Sequence, residues 1–153
     1  MIKRILAFVP LLLLPLIGCV SAPKNIELAE APASAAYPQG NGKAEIVVVR
    51  KGISAFTAVF GVHVNDEKIG AVRVNDFVAT QVDPGVVTVL ASAEASCTAQ
   101  FPVEANRTYY LRAVPKTGWW YARVQLELLD PEDGAAYRED CDDMTIGAED
   151  DTD

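Results

Sequence analysis

The amino-acid sequence predicts a mainly β fold, a small antiparallel β-sandwich followed by one short helix. From Lys43 to about Leu129, short runs of β-branched and aromatic residues alternate between apolar and polar positions. Turn-forming residues separate these runs every ~8–12 residues, a spacing typical of sandwiches. No long amphipathic helical pattern lies between the runs, which argues against a parallel sheet with helical crossovers.

The alternation defines eight predicted strands. They cover residues 46–49, 56–64, 68–74, 77–82, 86–91, 96–103, 108–114 and 119–128. In the last of them, Trp120, Val124 and Leu126 share one face. Asp83-Pro84-Gly85 is a strong turn signal, because proline presets φ and glycine permits a positive φ. We therefore expect an immunoglobulin-like or transthyretin-like sandwich of seven or eight strands.

A short helix is predicted after the last strand. Asp130 suits the N-cap, Pro131 suits the first helical position, and Glu132 and Asp133 favour the positive end of the helix dipole. The helix is expected to end near Cys141. Gly134 has a low helix propensity and should weaken it. Residues 43–141 thus form the predicted domain.

The first eighteen residues resemble a bacterial lipoprotein signal peptide. Lys3 and Arg4 precede an apolar run that ends in the lipobox-like Leu16-Ile17-Gly18-Cys19. The motif implies cleavage before Cys19 and attachment of acyl chains such as palmitate to that residue. Two or more chains give stable anchoring to a membrane.

Two alternatives to lipidation remain for this segment. A transmembrane helix would need ~20 apolar residues, and prolines interrupt this shorter run at Pro10 and Pro15. An ordinary signal peptide cut elsewhere is the second alternative. The cysteine directly after a small residue favours lipidation over both.

Flexible segments are predicted on both sides of the domain. Residues 19–42 comprise the lipidated cysteine and a tether rich in Ala, Pro, Ser and Gly, with little apolar periodicity. Residues 142–153 form an acidic tail that should be solvated and disordered. The acidity is concentrated here, since residues 130–153 hold 11 acidic side chains and only Arg138 as a base.

Charge and the leader together limit the partners. Without Lys3 and Arg4, 11 basic and 21 acidic side chains remain, a net charge of −10, which argues against nucleic acid as a ligand and against binding an anionic membrane by charge. We expect contact with the membrane through the lipid on Cys19, and a protein partner in the cell envelope. Val20 follows Cys19 where an aspartate retains many enteric lipoproteins at the inner membrane. By that analogy, the predicted location is the outer membrane, facing the periplasm.

Most of the predicted domain resembles a family of bacterial lipoprotein domains, domain of unknown function 2846, and related PEGA-like modules. The resemblance lies in an opening strand, a hairpin, a Pro-Gly turn and a Tyr-Tyr strand, namely residues 44–50, 60–70, 82–89 and 108–112. It implies a small antiparallel sandwich and export. It carries no catalytic residue onto this chain.

No residue pattern predicts an enzyme, a metal site or a cofactor. His63 is the only histidine, and no motif supplies the orienting partner that a general base needs. A zinc site requires three or four ligands, which one histidine and two distant cysteines do not provide. A small hydrolase using His63 is thus the weakest alternative.

Two further hypotheses concern specific side chains. If Trp120 is buried, Trp119 and Tyr121 lie on the opposite face, where they could bind peptidoglycan or another glycan. A second sheet or the helix could equally cover them. Cys97 and Cys141 remain as a pair once Cys19 carries lipid, and an oxidising compartment would favour a disulfide between them. Two separate thiols are the alternative.

Overall fold

The computed structural model describes residues 24–27, 30–36, 40–52, 58–117 and 122–147. In chain order, the strands are β1 Lys24–Glu27, β2 Ala35–Ala36, β3 Ala44–Arg50, β4 Phe60–Val64, β5 Glu67–Val72, β6 Asp76–Val82, β7 Gly85–Ser92, β8 Cys97–Val103, β9 Arg107–Thr117, β10 Ala122–Leu128 and β11 Asp142–Asp143. The helix α1 spans Pro131–Glu139.

The strands form two sheets, which confirms the predicted mainly β fold with one short C-terminal helix. The first sheet has the order β1-β8-β7-β4-β5, and the second has the order β10-β9-β3-β6-β11. β2 pairs with Arg107 and Thr108 at the start of β9, and β10 pairs with β9 from Leu111 onward. Most pairs are antiparallel, but β1–β8, β3–β9 and β6–β11 are parallel.

The strand β3 is buried on both faces, as its unbroken apolar run requires. Ile46 and Val48 pack in the main core between the two sheets. Val47 and Val49 point the other way, into a second cluster with Phe77 and Tyr110. Side chains alternate along a strand, so β3 contributes to both clusters at once.

The helix α1 covers this second cluster on the outer face of the second sheet. Gly134 is buried against the ring of Tyr110. Nearby, Arg138 Nη1 lies 3.1 Å from both carboxylate oxygens of Glu45, and Thr108 Oγ1 donates to Oε2 of Glu45 at 3.0 Å. The guanidinium of Arg138 also lies 5.1 Å from the centroid of the Phe77 ring. A buried carboxylate with these partners fixes the helix on the sheet.

Arg50, at the end of β3, is 1% exposed. Its guanidinium lies 4.4 Å from the centroid of the Phe60 ring and donates to the carbonyl of Ala58. Burial lowers the pKa of Arg50, and the nearby charge of Asp76 opposes that change. These contacts hold the chain where it crosses from β3 in the second sheet to β4 in the first.

The sandwich has two ends, which the connections define. The Asn65 end comprises the turns at 65–66, 83–84 and 104–106 and the start of β3. The Arg73 end comprises the turn at 73–75, the connection at 93–96, and the positions where β9 ends and β10 begins. Strands β3, β5, β7 and β9 all run from the Asn65 end to the Arg73 end.

The predicted flexible tether over residues 19–42 is wrong for two segments. Residues 24–27 form β1, which pairs with β8 at the edge of the first sheet. Residues 35–36 form β2 against β9. Sheet edges offer backbone donors and acceptors to any extended segment, so a chain of low apolar content can still pair there.

The predicted disordered tail over residues 142–153 is also wrong for its first part. Asp142–Ile146, which we call the C-terminal strap, runs along β6 and reaches β5. The amides of Asp142, Met144 and Ile146 donate to the carbonyls of Asn75, Phe77 and Ile69, each at 2.8 Å. The strap passes so close to Gly70 that a Cβ there would lie 2.6 Å from the carbonyl oxygen of Met144. Residues 148–153 lie outside the described residues.

The predicted disulfide is wrong as well, since no bond joins Cys97 and Cys141. Cys97 is buried in the core between the sheets, whereas Cys141 packs on the cluster under α1. The second sheet lies between these two clusters. The bridge would therefore have to pass through that sheet.

Candidate functional site

A groove between β5 and β6 at the Asn65 end is the candidate site. The strap joins these two strands toward the Arg73 end and leaves the opposite part of the gap open. The open part has a volume of about 440 Å³. Its lining includes Lys43, Asn65, Glu67, Ile69, Gln81 and Asp83.

One wall of the groove is the tight turn between β4 and β5. Asn65 and Asp66 both have positive φ, 48° and 68°, the combination that a two-residue type I′ hairpin requires. The amide of Asn65 donates to the carbonyl of Thr88 at 2.8 Å, and its side-chain oxygen accepts from the amide of Thr88 at 3.0 Å. These reciprocal bonds tie the turn to β7 and make the wall rigid.

The other wall is the crossing from β6 to β7. Lys43 Nζ lies 3.3 Å from Asp83 Oδ1, and the side-chain amide of Asn41 donates to Oε1 of Gln81 at 2.6 Å. The side chains of Lys43 and Asp83 are 45% and 85% exposed, so this ion pair adds little stability and leaves both charges accessible. Beside them, Val86 is 67% exposed.

The groove therefore offers one cation, two carboxylates, two side-chain amides and an exposed aliphatic side chain. Such a mixture can hydrogen-bond a polypeptide and cover part of an apolar side chain. Among the lining residues there is no histidine, cysteine or serine. Sequence analysis placed these residues in separate strands and turns, and it could not bring them together because their meeting depends on how the two sheets cross.

His63 lies on the face of β4 opposite the core residues Val62 and Val64. It is half-buried, and within the described part of the chain its Nδ1 has no hydrogen-bond partner. No carboxylate orients the ring there. The geometry thus gives no support to general-base chemistry at this position.

Cys141 is the second reactive group that the sequence singled out. Burial raises the pKa of its thiol, and the positive charge of Lys51 partly offsets that rise. It lies near the Arg73 end, away from the groove, and Cys97 is in the core. The structure does not bring the two predicted cysteines together.

Three other predicted positions, Cys19, Trp119 and Tyr121, lie outside the described residues. In the described ranges, no group of three or more His, Cys, Asp or Glu side chains is arranged to hold a metal ion. None of the helices in the same part of the chain is long and apolar enough to cross a membrane.

Comparison with known proteins returned no matching family model, no similar curated protein and no similar solved structure. The resemblance of residues 43–129 to a lipoprotein domain family therefore stays a prediction.

Proposed function

We propose that this chain is a lipid-anchored protein of the bacterial cell envelope, and that its sandwich is a non-enzymatic accessory domain that binds a protein partner. The observation that carries the proposal is the lipobox-like Leu16-Ile17-Gly18-Cys19 behind a basic and apolar leader. The strand β1 begins at Lys24, only five positions after the acylated cysteine. The domain would then be held close to the membrane. We propose that this membrane is the outer membrane.

The groove between β5 and β6 supports the partner-binding part of the proposal. Its rim combines accessible charges at Lys43 and Asp83 with the exposed side chain of Val86. Interfaces between proteins commonly surround an apolar contact with polar groups in this way. The rigid turn at Asn65 would present these groups with little ordering cost.

The anchor is tested by metabolic labelling with a palmitate analogue in a bacterial host. Wild-type protein should carry the label and fractionate with the outer membrane, and the Cys19→Ser variant should do neither. Label that persists on the serine variant would refute the lipid anchor. Label in the inner-membrane fraction would correct only the location.

The binding surface is tested by photocrosslinking in cells from single positions of the full-length protein. A crosslinker at Val86 should give one discrete adduct, and the adduct should decrease when Asp83→Lys reverses the neighbouring charge. Glu132, which is exposed on α1, is the matched control position. Equal adducts from Val86 and Glu132, or none from Val86, would contradict the proposed surface.

A further inference from the structure

We infer that the Arg73 end of the sandwich faces the membrane surface, and that the groove at the Asn65 end points away from it. This inference rests on the proposed anchor at Cys19 and adds an orientation to it. Two features support it, the direction of β1 in its sheet and the short stretch of chain between Cys19 and β1.

The direction of β1 fixes where the chain enters the domain. β1 is parallel to β8, with Lys24 opposite Cys97 and Glu27 opposite Gln100. Because β8 begins at the Arg73 end, β1 begins there too. Residues that precede Lys24 therefore join the domain at the Arg73 end.

The short distance along the chain limits where the anchor can lie. Lys24 follows Cys19 by five positions, and a fully extended chain spans at most ~3.6 Å per position, or about 18 Å. The seven residues of β8 alone span about 23 Å at ~3.3 Å per residue. The lipid could not reach past the Asn65 end even if the chain folded back along the sheet.

The test measures depth with a fluorophore at one of two positions on the lipidated full-length protein, in a Cys141→Ser background. Ser96→Cys carries the probe at the Arg73 end, and Glu104→Cys carries it at the Asn65 end; both sites are exposed. The vesicles contain phosphatidylglycerol and lipids with nitroxide-labelled head groups, which quench over a short range. Thermal melting of each labelled protein checks that the probe leaves the fold intact.

We expect the Ser96 probe to be quenched at least severalfold more strongly than the Glu104 probe. Equal quenching, or stronger quenching at Glu104, on protein that floats with the vesicles would overturn the orientation and leave the anchor in place. Protein that does not float at all would contradict the proposed anchor itself and with it the orientation.

Discussion

Gly134 of α1 lies directly on the ring of Tyr110 in β9, so that a Cβ at Gly134 would overlap the ring, 2.6 Å from its Cδ2. This contact sets the distance between the helix and the second sheet. A residue that lowers helix propensity is therefore the one that lets the helix dock. The bonds from Arg138 to Glu45 then fix the helix along the sheet.

We predict that Gly134→Ala destabilises the protein although alanine favours a helix. The better propensity contributes about 1 kcal/mol, whereas overpacking a close contact costs about 1–3 kcal/mol and more when a backbone must move. Chemical denaturation should show a free energy of unfolding lower by about 1–2 kcal/mol. Ala136→Gly, at an exposed position of the same helix, is the comparison and should cost about 1 kcal/mol through propensity alone. A stabilised Gly134→Ala variant would show that the helix does not pack as described.

Removal of the Arg138 side-chain charge should destabilise the protein by about 1–3 kcal/mol, because Glu45 would keep only Thr108 as a partner in a buried site. Arg138→Met keeps most of the length of the side chain and tests the charge. In that background, Glu45→Gln should restore part of the lost stability, and a double-mutant cycle by denaturation measures the coupling. The exposed pair provides the control, since Lys43→Met should change stability by less than ~0.5 kcal/mol. Additive effects of Arg138→Met and Glu45→Gln would contradict the interaction.

Truncation after Cys141 should lower the melting temperature by several degrees. It removes the three amide bonds from the strap and the bond from Ala79 to the Thr145 hydroxyl, at 2.9 Å, each contributing ~0.5–1.5 kcal/mol. Truncation after Gly147 is the control, and it should leave the midpoint nearly unchanged. Thr145→Val, which removes only the hydroxyl, should give an intermediate loss. Equal midpoints for the two truncations would mean that the strap does not contribute.

Alkylation should distinguish the two cysteines by rate and by pH. Cys141 is half-buried and has a raised pKa, so a smaller fraction is thiolate at neutral pH and the rate should continue to rise above pH 8–9. Lys51→Met removes the charge that favours the thiolate and should slow the reaction further at a given pH. Cys97 is fully buried and should react only when the protein unfolds. Mass spectrometry without reductant measures both, and a peptide pair linking Cys97 to Cys141 would contradict the structure.

The sequence predicted the parts of the fold that depend on side-chain pattern. Alternation along the last predicted strand put Val124 and Leu126 on one face, and both lie in the core between the sheets. The capping signals at Asp130 and Pro131 gave the start of α1. In these places, the local residue types alone decide the structure.

The parts that the sequence could not predict depend on backbone pairing or on contacts between distant elements. The strap contains Asp142 and Asp143 and has the composition of a tail, yet its amides find carbonyls at the edge of β6. Gly134 looked only like a weak helix former, because the ring it contacts is 24 positions earlier in the chain. The groove residues come from separate strands and turns, and only the crossing between sheets brings them together.

The central position of β3 has a consequence for the order in which the chain folds. Its hydrogen-bonded neighbours are β6 and β9, and the contact from Glu45 to Thr108 spans 63 positions. Closing so long a loop costs entropy before any contact compensates for it. Folds rich in distant contacts therefore form on the scale of milliseconds to seconds. The second sheet cannot assemble until β9 is available to pair with β3. A chain that emerges from the ribosome N-terminus first therefore lacks the second sheet until residues 107–117 have been made.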